Sequence, residues 1–280
     1  MRFRLIMFAT LSVVAARVCA QSPVPAIAAI NKQPVPFRSG TLNLVGFLFK
    51  PEGAGPFPAV LWNHGSERGP GQGPQFDSAA AVFVRAGYVL FAPVRRGHIG
   101  SDGAYIVEET DRARAAGGWE AANRLTVNRL ETVQLDDQLA GLAALRTYAF
   151  VDTTRIVVAG CSYGGIQTLL GAERGAGYRA AVAISPAALS WEMNPLLRER
   201  LLRAVGGTKI PVMILQPAKD ASLGPSRVLG AEFTRLGKAF TGKIFPSEGP
   251  DELQGHCFGG AKGMHVWAED ALAFIKEAIR

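Results

Sequence analysis

Ile156-Val157-Val158-Ala159 is apolar without interruption, and a short run of this kind belongs to a strand buried on both faces. Such a strand needs helices packed on each side of its sheet, which points to the α/β class. The rest of the chain agrees. Strands are expected over Thr41–Phe49, Phe57–Trp62, Tyr88–Pro93, Arg155–Gly160, Ala180–Ile184, Pro211–Leu215 and Phe240–Phe245, with Pro58 and Pro211 tolerable only at strand starts. Between them, Leu135, Leu139, Leu142, Leu145 and Tyr148 recur at helical spacing, as do Trp267, Ala271, Phe274, Ile275 and Ala278. Alternating strands and helices imply parallel strands linked by helices.

The 280 residues, 48% hydrophobic and 19% charged, suffice for one large core. The N-terminus carries Arg2 and Arg4, an apolar run from Leu5 to Ala16, then Val18-Cys19-Ala20 before Gln21. That order of charged, apolar and small residues is the pattern of an export signal, and the run is shorter than a membrane span requires. Residues 1–20 are therefore expected to be a signal peptide, cleaved to leave a periplasmic or secreted domain of residues 21–280 without stable membrane insertion. Arg17 and Val18 make a poor lipidation context for Cys19. Loss of Arg2, Arg4 and Arg17 would lower the formal charge from +7 to +4, and the remaining basic residues are scattered, which disfavours a nucleic-acid partner.

Residues 21–37 read as a Pro-containing opening segment, and two later segments exceed ordinary connections. These are Gly97 to Arg129, rich in Gly and charge, and Pro186 to Gly206, with Trp191, Met193 and Leu196. Long insertions at strand ends form lids or pocket walls, the role expected of segments 97–129 and 186–206.

Gly160-Cys161-Ser162-Tyr163-Gly164 follows an apolar strand and precedes the helical pattern Gly165-Ile166-Gln167-Thr168-Leu169-Leu170. This is G-x-S-x-G at a strand-to-helix turn, where glycines permit close approach and the central hydroxyl is pushed outward. A serine hydroxyl needs a base to take its proton and a carboxylate to hold that base in the right tautomer. The chain order that goes with this turn is Ser, then Asp or Glu, then His. Only His256 and His265 lie downstream; His256 sits in a Gly-rich loop, whereas His265 adjoins the last helical stripe, so His256 is the expected base. Asp220 follows the run Pro211–Leu215 at the carboxyl end of a sheet strand, the functional edge of such sheets. It is the expected acid, with Asp251 and Glu252 as rivals.

Charge developing on a carbonyl oxygen calls for fixed donors. The N–H of Tyr163 is one candidate, and the turn Asn63-His64-Gly65-Ser66 after the Phe57–Trp62 strand supplies another, from Ser66 or alternatively Gly65. His64 precedes Ser162 in the chain and reads as a structural hydrogen-bonder. The histidines and cysteines form no H-E-x-x-H or C-x-x-C spacing, and no phosphate-cradling loop is present, so neither metal nor cofactor is expected. Cys161 and Cys257 flank the proposed serine and histidine. Bridging needs Cβ directions that sequence cannot supply, and two buried free thiols are the expectation.

On these residues the chain resembles the dienelactone hydrolase branch of the α/β hydrolases, and more loosely the catalytic domain of the prolyl oligopeptidase group. The likeness rests on Asn63-His64-Gly65, Arg96-Gly97-His98-Ile99-Gly100-Ser101, Gly160–Gly165, Asp220 and His256-Cys257-Phe258, followed by a helix with Trp267, Asp270 and Phe274. Dienelactone hydrolases carry cysteine at the centre of the elbow, where this chain has Ser162. The resemblance implies the α/β-hydrolase fold, a mostly parallel eight-stranded sheet with helices on both faces, and hydrolysis of a small-molecule carboxylic ester through an acyl-enzyme. An exported peptidase and a non-catalytic binding protein on the same scaffold are the alternatives.

Overall fold

The computed structural model describes residues 32–69, 74–246 and 249–280. The expected signal segment, residues 1–20, lies outside the described residues. Eight strands form one sheet: β1 (Lys32–Ser39), β2 (Leu42–Phe49), β3 (Phe57–Asn63), β4 (Val89–Pro93), β5 (Val151–Cys161), β6 (Tyr178–Ile184), β7 (Val212–Pro217) and β8 (Phe240–Phe245). Their spatial order is β1-β2-β4-β3-β5-β6-β7-β8. The pairs β1–β2 and β2–β4 are antiparallel, and all pairs from β4–β3 to β7–β8 are parallel.

Among the described residues, seven α-helices accompany the sheet: α1 (Pro74–Arg85), α2 (Ile106–Glu131), α3 (Val133–Leu145), α4 (Tyr163–Arg174), α5 (Pro195–Gly207), α6 (Gly230–Arg235) and α7 (Met264–Ala278). Successive strand residues face opposite sides, so each continuous apolar strand feeds two cores. Ala59 and Leu61 of β3 and Ile156 and Val158 of β5 pack with Leu142 of α3, Ile166 of α4 and Leu201 of α5. Their neighbours Val60, Trp62, Val157 and Ala159 pack on the other face with Phe76 and Phe83 of α1 and with Trp267, Ala271 and Ile275 of α7. The period of about 3.6 residues in α1 and α7 turns these apolar positions to one side.

Two expectations change. Part of the opening segment is the edge strand β1, in register with β2 from Lys32–Phe49 to Ser39–Leu42. Val35, Phe37 and Ser39 are buried, whereas Pro34 and Pro36 are exposed, and an edge strand tolerates prolines because half its backbone donors have no partner strand. The Gly-rich, charged segment after Gly97 is mostly α2, interrupted where Gly117 (φ −147°, ψ 21°) and Gly118 (φ 70°, ψ −167°) leave helical geometry. Residues 186–194 form turns that lead into α5, whose Asn194 accepts from the Leu197 N–H as its N-cap. The two segments meet where Asn123 Nδ2 donates to the Met193 carbonyl at 2.8 Å. No helix among the described residues is long and apolar enough to cross a membrane.

Candidate active site

Because β3, β5, β6 and β7 run parallel, their carboxyl ends open onto one edge of the sheet. The segment after β3 supplies His64, Gly65 and Ser66. The turn after β5 supplies Ser162, and the segment after β7 supplies Asp220.

Ser162 has φ 59° and ψ −121° between β5 and α4, a conformation that L residues avoid unless the surrounding structure holds it. Gly160 and Gly164 make the turn possible. A Cβ on Gly160 would lie 2.5 Å from the Asn63 carbonyl oxygen, and one on Gly164 would lie 2.0 Å from the same atom. Both distances are inside van der Waals contact, so the elbow can press against the end of β3 only with glycine at these positions.

His256 Nε2 lies 2.8 Å from Ser162 Oγ, and its Nδ1 lies 2.8 Å from Asp220 Oδ1. An ionised carboxylate only accepts, so Nδ1 carries the proton and Nε2 is the acceptor facing the serine hydroxyl. Asp220 Oδ1 also accepts from the Ala221 N–H at 2.8 Å, and Oδ2 accepts from Gln216 Nε2 at 3.0 Å. The Asp220 side chain has no exposure, while 23% of the His256 side chain is open. Burial alone would raise the Asp220 carboxyl, but hydrogen bonds from His256, Ser185 and Gln216 outweigh it and hold the group below the ordinary carboxylate value. The group is therefore ionised at neutral pH. Asp251 is exposed and paired with Lys219 at 3.0 Å, whereas the carboxylate on the imidazole is that of Asp220. The side chain of Glu252 lies outside the described residues. His265 is exposed in the first turn of α7, with Nδ1 3.0 Å from the Lys262 carbonyl.

The loop that delivers His256 is unusual in backbone. Cys257 and Phe258 both have φ 55°, and Gly259 follows at 70°. Phe258 anchors it, being 1% exposed and edge-on to Phe245 at 5.1 Å.

The cysteines correct the sequence-based expectation. Cys161 and Cys257 form a disulfide, with a Cα–Cα distance of 6.2 Å. The physical reason follows from the site itself. Bringing the His256 ring to the Ser162 hydroxyl brings the neighbouring residue of each within the span that a disulfide bridges. Sequence alone showed that both cysteines flank the site residues, but not that their Cβ atoms face each other.

Ser162, His256, Gly65 and Ser66 line a cavity of ≈ 440 Å³, walled by Trp62, Ile184, Leu189, Met264, Trp267 and the disulfide, with Glu67 and Tyr105 also contributing. Trp62 and Trp267 stack at 6.1 Å with an interplanar angle of 9°. Only Tyr105 and Leu189 represent the two long segments in this lining. The Tyr163 N–H belongs to the first turn of α4, where helix donors lack intrahelical acceptors. Its side chain points elsewhere, the hydroxyl donating to Gln134 Oε1 at 2.7 Å. His64 is buried and held among Gly65 and Arg95, as expected for a structural histidine. Sequence reasoning missed Gln216 and Ser185, which hold the acid, and Arg95, which sits behind the Gly65 turn; neither spacing nor motif marks them. Among the described residues, no group of three or more His, Cys, Asp or Glu side chains is arranged to hold a metal ion.

A prolyl oligopeptidase family model matches residues 117–197, a stretch that includes Ser162 but neither Asp220 nor His256. Among solved structures, the chain is similar to an acylaminoacyl peptidase of Pyrococcus horikoshii, at 19% identity and TM-score 0.65, over 89% of this chain and 42% of that one. It thus spans less than half the length of that peptidase. It is also similar to esterase Pf2001 of Pyrococcus furiosus, at 14% identity and TM-score 0.65, over 90% of this chain and 94% of that one. Est1E of Butyrivibrio proteoclasticus, in a structure with ferulic acid bound, gives 17% identity and TM-score 0.66 over 88% and 99%. Sheet order, the strand-to-helix elbow at Ser162 and these likenesses converge on one conclusion: this chain has the α/β-hydrolase fold.

Proposed function

We propose that the protein is a serine hydrolase that cleaves small carboxylic esters, with Ser162 as nucleophile, His256 as general base and acid, and Asp220 as the orienting carboxylate. One observation carries the reading: the unbroken line from Asp220 Oδ1 through His256 to Ser162 Oγ, with 2.8 Å at each contact. Ser162 Oγ attacks the ester carbonyl while His256 Nε2 takes its proton, and Asp220 stabilises the imidazolium that results. The N–H groups of Tyr163 and Ser66 receive the oxyanion. Collapse expels the alcohol, protonated by His256, and leaves an acyl group on Ser162. Water, activated by the same imidazole, then releases the acid.

The cavity supports an ester with a compact apolar group, because stacked indoles and aliphatic side chains form most of its walls. The resemblance to dienelactone hydrolases rests on the sequence motifs and is kept here as the proposed branch, in a serine-nucleophile form. Export through the N-terminal signal fits the disulfide, since such bonds persist in oxidising compartments. A peptidase is the second reading, favoured by the prolyl oligopeptidase match over residues 117–197.

The test is covalent labelling by a fluorophosphonate together with turnover of matched nitrophenyl ester and nitroanilide substrates. Ser162→Ala is expected to abolish labelling and lower kcat by at least about 10³-fold. Amide turnover equal to ester turnover would move the assignment to a peptidase, and labelling that survives Ser162→Ala would end it.

A further inference from the structure

Arg95 lies just beyond the end of β4, 3% exposed. Its guanidinium feels the negative charges of Glu67 and Asp137, but the acceptors of its hydrogen bonds are uncharged. Nη1 donates to the His64 carbonyl at 2.7 Å and to Gln167 Oε1 at 2.6 Å, and Nη2 donates to the Gly65 carbonyl. The guanidinium also lies over the Tyr163 ring, 5.0 Å from its centroid. Burying a cation in this way is costly, and burial lowers the Arg95 pKa to about 10, leaving it charged at neutral pH. A neutral side chain would brace the turn at lower cost, so the charge itself calls for an explanation.

The geometry of the Gly65–Ser66 peptide supplies one. The Gly65 carbonyl accepts from Arg95 and also from His64, whose Nδ1 lies 2.8 Å away. The tautomer of His64 is settled by its other nitrogen: Nε2 accepts the Arg95 backbone N–H at 3.1 Å, so Nδ1 carries the hydrogen, and the Arg95 Nη2 that lies 3.1 Å from Nδ1 donates to the Gly65 oxygen and not to the ring. Burial, followed by the charge of Arg95, pushes His64 well below its ordinary pKa, so the ring stays neutral. In a trans peptide the C=O and the following N–H point in opposite directions. Two donors that grip the Gly65 oxygen on one side therefore aim the Ser66 N–H to the other. Donation to the carbonyl also polarises the peptide and strengthens its N–H as a donor.

We propose that Arg95 is the positioning residue of the oxyanion hole: it fixes and polarises the Gly65–Ser66 peptide and, through Gln167 and the Tyr163 ring, ties that donor to the elbow that carries the other. The proposal rests on the serine hydrolase reading above and selects Ser66 over Gly65 as the donor.

The experiment compares the unmodified protein with Arg95→Gln, Arg95→Lys and Gln167→Leu on a nitrophenyl ester, with kcat expressed per site titrated by fluorophosphonate so that misfolded molecules are not counted. Affinity for an aryl boronic acid, which forms a tetrahedral adduct on the serine, is measured in parallel. Arg95→Gln is expected to lower kcat by about 10²-fold, the scale of one lost oxyanion donor, with KM changed less than about threefold and boronate affinity falling with kcat/KM. Arg95→Lys keeps the charge but not the fork, and is expected to recover part of the loss. Gln167→Leu leaves the guanidinium on Gly65 and is expected to cost about tenfold in kcat. Normal kcat per titrated site in Arg95→Gln, or in Gln167→Leu should Arg95→Gln yield no titratable site, would overturn the assignment to Arg95 alone. Absence of Ser162 labelling in the unmodified protein would overturn the hydrolase reading and this proposal with it.

Discussion

The ring of His98 packs against His64 at 4.6 Å and Tyr105 at 5.1 Å, and its burial has a measurable consequence. Burial first, and then the positive charge of Arg95, lower its pKa to about 4 from an ordinary 6.5. Between these values the unfolded chain binds a proton that the folded one refuses. Stability is therefore expected to be full above about pH 6.5 and to fall as the pH drops toward 4, by on the order of 3 kcal/mol from this residue. Denaturant melts across pH 4–7 check this; an unchanged slope in His98→Asn would remove His98 from the account. Of the residues proposed to react, Ser162 is marked in the sequence by its glycines and flanking elements, His256 by the short supply of downstream histidines, and Asp220 by its place after an apolar strand. Support of Asp220 by Gln216 and Ser185, and of the Gly65 turn by Arg95, depends on which side chains tertiary packing brings together, and no local pattern carries it.

At the scale of elements, the buried strands were the easiest to read, because a run such as Ile156–Ala159 admits few other structures. Boundaries were harder. β5 begins at Val151, ahead of its apolar core, since β3 and β5 already pair at Phe57 and Val151. Strand β1 was hidden by Pro34 and Pro36, which argue against a strand unless it lies at an edge, and edge position is a property of the sheet. Helix α2 was masked by its charge and by the Gly117-Gly118 pair. Gly118 combines φ 70° with ψ −167°, a region open almost only to glycine, and nothing lies within 4 Å of where its Cβ would stand. Gly118→Ala is thus expected to destabilise by backbone strain alone, about 1–3 kcal/mol in chemical denaturation. A neutral or stabilising result would mean that the break in α2 is not required by the fold.

For the molecule as a whole, alternation of strands and helices carried most of the topology: a parallel array from β4 to β8, with its carboxyl edge gathering residues far apart in sequence. The disulfide was not legible, because two cysteines give no direction until the fold places them. It joins residues 96 positions apart, and loops of that size restrict the unfolded chain enough for its loss to cost about 2–5 kcal/mol. Replacement of both cysteines by alanine is expected to lower the melting midpoint and, below the melt, to reduce ester turnover as the His256 loop loosens. Unaltered turnover in the doubly substituted protein would show that packing by Phe258 suffices to seat that loop.

The bridge also closes a hoop. Cys161 stands one position before Ser162 and Cys257 one position after His256, with Asp220 between them, so the three side chains proposed to react all ride on a single closed circuit of main chain. A protease that nicks this circuit once opens the hoop without releasing a piece. The severed parts stay leashed through sulfur at the spot where serine and imidazole meet.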